Sequence, residues 1–314
     1  MDLKAIFLVI YLFFNPSSPS LPSSPSLVPE PIITIISTGD VIPARTVNWK
    51  MTQYNDFTYP FAKTADFLRT ADLTIINLEA PLVTNCPVTR EGMVFCGDQR
   101  FIQGLKFAGV DVANLANNHA NNWGEVGFEQ TKKLLEENAI LTSGSELVTK
   151  TIKGTTFGFL GWDILENPEQ AKILAAIRQA KTQVDFLIVS FHWGAEYQRF
   201  PAAQTVQLAR EAIDNGADMI LGNHPHWYQP IEFYKDKLIV YAHGNFIFDQ
   251  EWSRETKTGI IGKYIIAKGK IVDAQFFPIF IEDYSQPSFL EGDQKEMVLE
   301  ELKDISSPTK SSGN

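Results

Sequence analysis

Cysteine is nearly absent from this 314-residue chain: there are only Cys86 and Cys96, and no Cys-x-x-Cys. A thiolate metal site therefore has little support. The pair, close in sequence within a Pro/Gly-containing loop, is a candidate disulfide in an oxidising compartment or two free thiols in cytosol. Clustered lysine and arginine are also missing. With 27 basic against 37 acidic side chains, the formal net charge is -10 and the pI about 5.1. Duplex nucleic acid is excluded as an expected partner, because phosphate neutralisation needs a basic face. No internal repeat is visible.

The N-terminal apolar stretch, Ala5 to Phe14, falls short of the roughly 20 residues that a membrane-spanning helix needs. It follows Met1-Asp2-Leu3-Lys4 and precedes a Pro/Ser-rich run from Asn15 to Pro31. This pattern resembles a secretory signal or short anchor over residues 1–14 and a linker over 15–31. It predicts an extracytoplasmic protein, secreted or membrane-tethered, and the absence of an Ala-x-Ala site leaves an uncleaved anchor open. What remains is 44% hydrophobic overall, enough for a large core. One domain is expected over 32–285, then a C-terminal helix and a polar, disordered tail over 286–314.

Apolar β-branched runs alternate with helical periodicity, which predicts an α/β fold. Strands are expected at Ile32–Ser37, Leu73–Ile76, Val110–Leu115, Phe186–Phe191, Met219–Leu221 and Leu238–Tyr241. Helices are expected at Glu125–Asn138, Glu169–Lys181 and Ala202–Asn215. Gly154–Trp162 and the Ile260–Ile281 region read as antiparallel additions. Each strand is followed by a polar motif, and in open α/β sheets ligands bind beyond the carboxyl ends of strands. Six such ends are expected to converge.

Histidine is scarce as well, five in all, yet every one lies in or beside these strand-end motifs. Confined next to Asp, Glu and Asn, neutral imidazoles suggest a metal site. A two-metal hydrolytic centre needs a shared carboxylate and further N and O ligands. The chain offers Asp40 for a first ion, Glu79 as the bridge, Asn118, His192 and His224 for a second, and His226 returning to the first. One or two divalent ions (Mn, Zn or Fe) are expected.

The ordered set Gly39-Asp40, Asn77-Leu78-Glu79, Asn117-Asn118-His119, His192-Trp193-Gly194-Ala195-Glu196-Tyr197, Gly222-Asn223-His224-Pro225-His226 and Gly244-Asn245-Phe246 resembles the CapA family of poly-γ-glutamate capsule synthesis proteins. The resemblance covers roughly residues 32–280. It implies a calcineurin-like metallophosphoesterase fold, two packed mixed sheets flanked by helices, and a role in making or exporting an anionic surface polymer. It also implies that His119 is an outer general acid or charge stabiliser beside Asp40 and Glu79. Two positions depart from the phosphoesterase pattern: Ile42 stands where a histidine is usual, and Glu79 replaces an aspartate. Metal binding is thereby favoured over efficient phosphoester hydrolysis.

Arg45, Glu196, Tyr197 and Asn245 are candidate substrate contacts, Arg45 for its carboxylate- and phosphate-matching fork or else a surface arginine, and Glu196 and Tyr197 alternatively supporting the metal ligands from behind. Asp249 is a candidate either to orient a ligand histidine or to shape a strand-end turn. His243 either lines the cleft or packs beneath it, and Trp123, Trp162, Trp193 and Trp227 either wall the site or pack. Three functions compete. One is a metal-dependent hydrolase-type protein of poly-γ-glutamate biosynthesis, acting on a small phosphoester or γ-glutamyl substrate. Another is a non-catalytic component that binds the polymer within a membrane synthase complex. The last is a general metallophosphoesterase. An acidic protein meets an anionic polymer unfavourably at long range, so recognition would need metals or Arg45 to supply positive charge.

Overall fold

A computed structural model describes residues 31–93, 95–166 and 168–307. The signal-like segment, most of the linker and the end of the tail lie outside the described residues. Among the described residues no helix is long and apolar enough to cross a membrane.

The strands are β1 (Ile33–Val41), β2 (Leu73–Leu78), β3 (Leu82–Val83), β4 (Gly97–Asp98), β5 (Val112–Asn114), β6 (Leu141–Ser143), β7 (Val148–Ile152), β8 (Thr155–Asp163), β9 (Phe186–His192), β10 (Met219–Asn223), β11 (Ile231–Tyr234), β12 (Lys237–Val240), β13 (Asn245–Ile247), β14 (Thr258–Ala267), β15 (Lys270–Glu282) and β16 (Gln286–Phe289). The helices are α1 (Thr46–Tyr54), α2 (Ala65–Leu68), α3 (Ile102–Ala108), α4 (Gly124–Glu137), α5 (Gln170–Lys181), α6 (Ala203–Asp214), α7 (Arg254–Lys257) and α8 (Gly292–Ile305).

Two mixed sheets are stacked. The first runs β16-β15-β14-β1-β2-β5-β6, with β13 also pairing β1, and the second runs β11-β12-β10-β9-β8-β7. Each has a parallel centre and antiparallel edges: β1, β2, β5 and β6 are parallel, as are β8, β9, β10 and β12. β8 was expected as an antiparallel addition. It is antiparallel to β7 only, and its register with β9 is parallel.

Side-chain alternation explains the layering. On β1, Ile35 faces the core between the sheets, together with Leu73, Phe159, Ile188 and Val240, while its neighbour Ile36 faces the helices. On β9, Ile188 points inward and Leu187 outward, against Ile177 and Ala209 of α5 and α6. Strands buried on both faces read as continuous apolar runs, which is why these were legible. The resulting helix-sheet-sheet-helix arrangement is the one the resemblance implied. Past residue 285, β16 extends the first sheet and α8 packs Val298, Leu302 and Ile305 against Tyr228 and Ile260. Ser306 is anchored too, accepting a hydrogen bond from the Ile231 N–H at 2.9 Å.

Candidate metal centre

Parallel register sets polar strand ends side by side. Asp40 is level with Asn77 and Asn245, Asn77 with Asn114, and His192 with Asn223 and Asp163. The two sheets meet here, where the Asn223 amide donates to Asp40 Oδ1 at 2.8 Å. Close approach requires glycine: a Cβ on Gly39 would lie 1.9 Å from the Gly244 carbonyl oxygen, and one on Gly222 1.9 Å from that of Tyr241.

The expected ligands converge. Ligand atoms of Asp40, Glu79 and His226, of Glu79, His192 and His224, and of Glu196, His224 and His226 form three groups, each with its atoms within 4.8 Å of one another. Asn118 joins through Oδ1, 2.9 Å from His192 Nε2, which lies 3.5 Å from Glu79 Oε1. Glu196, expected at the substrate, is thus also placed among the metal candidates. It is largely exposed, and its carboxylate lies 3.9 Å from His226 Nε2.

Burial and their mutual charges shift these groups strongly. Burial would raise the Asp40 pKa, but the His226 hydrogen bond at 3.1 Å and the neighbouring imidazoles hold it well below the usual carboxylate range. Burial and the Asp40 charge push Glu79 well above it. Burial depresses His192 strongly and His224 to about 4, with the other imidazoles adding to the effect. Neutral imidazole is the ligand form.

Whether the residues fit a metal is tested by what is left unsatisfied. Glu79 Oε1, His192 Nδ1 and His224 Nδ1 are buried with no hydrogen-bond partner, a costly arrangement unless something binds them. Among the described residues no lysine or arginine forms an ion pair with Asp40 or Glu79. Two adjacent buried carboxylates with imidazole neighbours and, among the described residues, no lysine or arginine paired to them fit divalent metal.

The surrounding residues depart from expectation in instructive ways. Arg45 is ion-paired with Asp249, lies over the Phe95 and Phe248 rings, and leaves little free charge for a substrate. Asp249, expected to orient a histidine, is occupied by Arg45 and the Thr46 N–H. Asn245, expected at the substrate, is buried and accepts from His226 Nδ1 at 2.9 Å, leaving Nε2 facing the centre. Tyr197 OH accepts from Gln250 at 3.0 Å; burial and the Glu196 charge raise it to about 12.

His119 Nδ1 is 2.9 Å from Asn122 Oδ1, which also accepts from the Phe95 N–H at 3.0 Å. That second bond fixes the amide, so Nδ1 carries the proton and Nε2 is left unprotonated. Burial lowers the His119 pKa, and the ring acts as an acid only after taking up a proton. Ile42 is buried with Ala44, Ala80, Phe95 and Phe248, an apolar cluster where the pattern has a ligand. His243 packs beneath the centre, 2.8 Å from Ser37 Oγ and 3.1 Å from Tyr264 OH. Trp193 packs, donating to the Tyr241 carbonyl at 2.8 Å. Cys86 and Cys96 are joined in a disulfide.

Sequence reasoning assigned no role to Asn77, Asn223, Gln250 or Asp163. Asn77 donates to Asp40 at 2.9 Å and to Glu79 at 3.2 Å, tying the carboxylates together. Its signal was available, since asparagines recur beside the ligand candidates at the strand ends.

The sequence profile of the bacterial capsule synthesis protein family PGA_cap matches residues 34–250. The chain is similar to the capsule biosynthesis protein CapA of Bacillus anthracis, 27% identical over 307 residues that cover 87% of this chain and 74% of the relative. It is similar to the PGA biosynthesis protein CapA of Bacillus subtilis (strain 168), 28% identical over 303 residues covering 88% and 79%. A hypothetical protein from Thermus thermophilus shares the fold, with a TM-score of 0.52, 17% identity and coverage of 78% of this chain and 98% of that one. With its motifs gathered at one centre and more than half its length matched, the chain belongs to the bacterial capsule synthesis protein family PGA_cap.

Proposed function

We propose that the protein is an extracytoplasmic, metal-dependent hydrolase-type component of poly-γ-glutamate biosynthesis, with two divalent ions sharing Glu79. The observation that carries this reading is the overlap of the ligand groups: Glu79 belongs both to the Asp40 and His226 group and to the His192 and His224 group. Bound there, the ions would supply Lewis-acid charge and lower the pKa of a water. The chain's own residues do the rest. Asn77 fixes the orientation of the two carboxylates, and Asn245 sets the His226 tautomer. His119 Nε2 is available to take or return a proton at the leaving group. The Cys86–Cys96 bond supports an oxidising compartment, and the two Bacillus relatives support a capsule polymer as the context. A secreted or tethered form working beside a membrane synthase is part of this reading.

Ile42 favours a second reading, a component that binds the polymer without cleaving it, because its apolar cluster leaves the first ion with fewer nitrogen ligands. Elemental analysis after reconstitution with manganese or zinc, joined to a turnover screen over phosphoesters and poly-γ-glutamate, decides between them. Bound metal with turnover abolished by Glu79→Gln and His226→Ala supports the enzyme. Bound metal without turnover supports the binding component, and protein that holds no metal refutes both.

A further inference from the structure

An anionic polymer needs positive charge at the cleft of a protein whose net charge is -10, and Arg45 is neutralised by Asp249. On the Glu196 side, aromatic rings step outward from the centre. The Tyr197 ring lies 6.1 Å from His226 and 6.0 Å from Trp252, centroid to centroid. Trp252, 61% exposed, lines a surface cavity of about 500 Å³ with Phe280, Leu290, Gln294 and two cations, Arg254 and Lys257. Lys257 is ion-paired with Glu251, whose carboxylate also lines the cavity. Arg254 is exposed and has no ion-pair partner among the described residues, so the cavity presents one uncompensated guanidinium beside apolar surface.

We propose that this cavity is a second subsite, which holds an anionic, methylene-rich chain beyond the unit at the metal centre. Arg254 takes the free α-carboxylate of a glutamyl unit, and Trp252, Phe280 and Leu290 cover its methylenes. The inference rests on the poly-γ-glutamate reading above, and the chemistry matches it. Each γ-linked glutamyl unit carries a carboxylate and a short methylene run, complementary to a guanidinium fork set among apolar side chains. Tyr197, in ring contact with both His226 and Trp252, links the centre to the cavity wall.

The test is calorimetric titration of the full-length, manganese-loaded protein with γ-glutamate oligomers at low and high salt. Arg254→Glu should weaken binding of long oligomers about tenfold at low salt, the loss expected for one charge-assisted contact. Arg254→Lys, which keeps the charge and loses the fork, should fall between wild type and Arg254→Glu, Trp252→Ala should weaken binding without changing the salt dependence, and metal content should be the same in all four proteins. Equal affinities for wild type and Arg254→Glu, or a wild type that does not bind the oligomers, overturns the subsite. Wild-type protein that binds no metal overturns the reading on which it rests, and because metal content is measured separately the two failures are distinguished.

Discussion

Four residues at the centre have backbone in the left-handed region: Arg45 (φ 50°), Tyr197 (59°), His224 (98°) and His226 (58°). Each such residue costs on the order of 1–3 kcal/mol and persists only where its surroundings over-determine it. Here the Tyr197 N–H donates to the Pro225 carbonyl at 2.8 Å, locking the two strained turns together. The histidines were legible because imidazole beside carboxylate is a chemical signal; the turns that aim them were not, since none of these residues favours positive φ. His243 shows the same limit, because one letter cannot say whether a ring faces a cleft or a core. Burial depresses it to about 4, against about 6.5 unfolded. A depressed folded pKa means that the unfolded chain binds the proton first, so this stability is intact above pH 6.5 and lost as pH falls toward 4. The loss reaches about 3 kcal/mol. Urea unfolding at pH 7 and pH 4.5 should therefore show a smaller acid loss for His243→Gln than for wild type, and equal losses would refute the assignment.

Strands buried on both faces announced themselves as apolar runs, and amphipathic α4, α5 and α6 by their period. Short or partly exposed pieces did not: α1 has little amphipathic pattern, and β7 and β11 are edges whose place in the sheet depends on partners the local sequence does not name. The helix α8 was expected only as a C-terminal helix, yet its Glu301 ties the site loops together. Glu301 accepts from Tyr228 OH at 2.7 Å and pairs with Arg199 at 2.9 Å, so it joins the loop after β9 to the loop after β10. The ion pair is partly exposed and worth little, but truncation would strand a buried Tyr228 hydroxyl at a cost of about 1–3 kcal/mol. Glu301→Ala should lower stability by that amount and weaken metal binding several-fold, because it frees the His224 and His226 loop. Metal titration showing unchanged affinity would leave α8 a packing element only.

The centre lies where the two sheets touch, so the whole molecule holds Asp40 and Glu79 together against their mutual repulsion. A cation should relieve that cost. By mass action, metal at a hundredfold over its Kd adds about 2.7 kcal/mol, which for a domain of this size corresponds to a Tm rise of roughly 5 °C. Thermal unfolding with manganese and again after chelation checks this, and an unchanged Tm would argue that the centre holds no ion in the folded state. The α/β class, the central strands and the ligand inventory were local properties of the sequence, since apolar periodicity and residue chemistry act over a few neighbours. Pairings across many residues were not. That Arg45 is silenced by Asp249, that Asn223 of one sheet binds Asp40 of the other, and that Trp252 and Arg254 share a cavity with Phe280, Leu290 and Gln294 were decided by tertiary structure, because burial and charge compensation depend on which distant residues the packed sheets bring into contact.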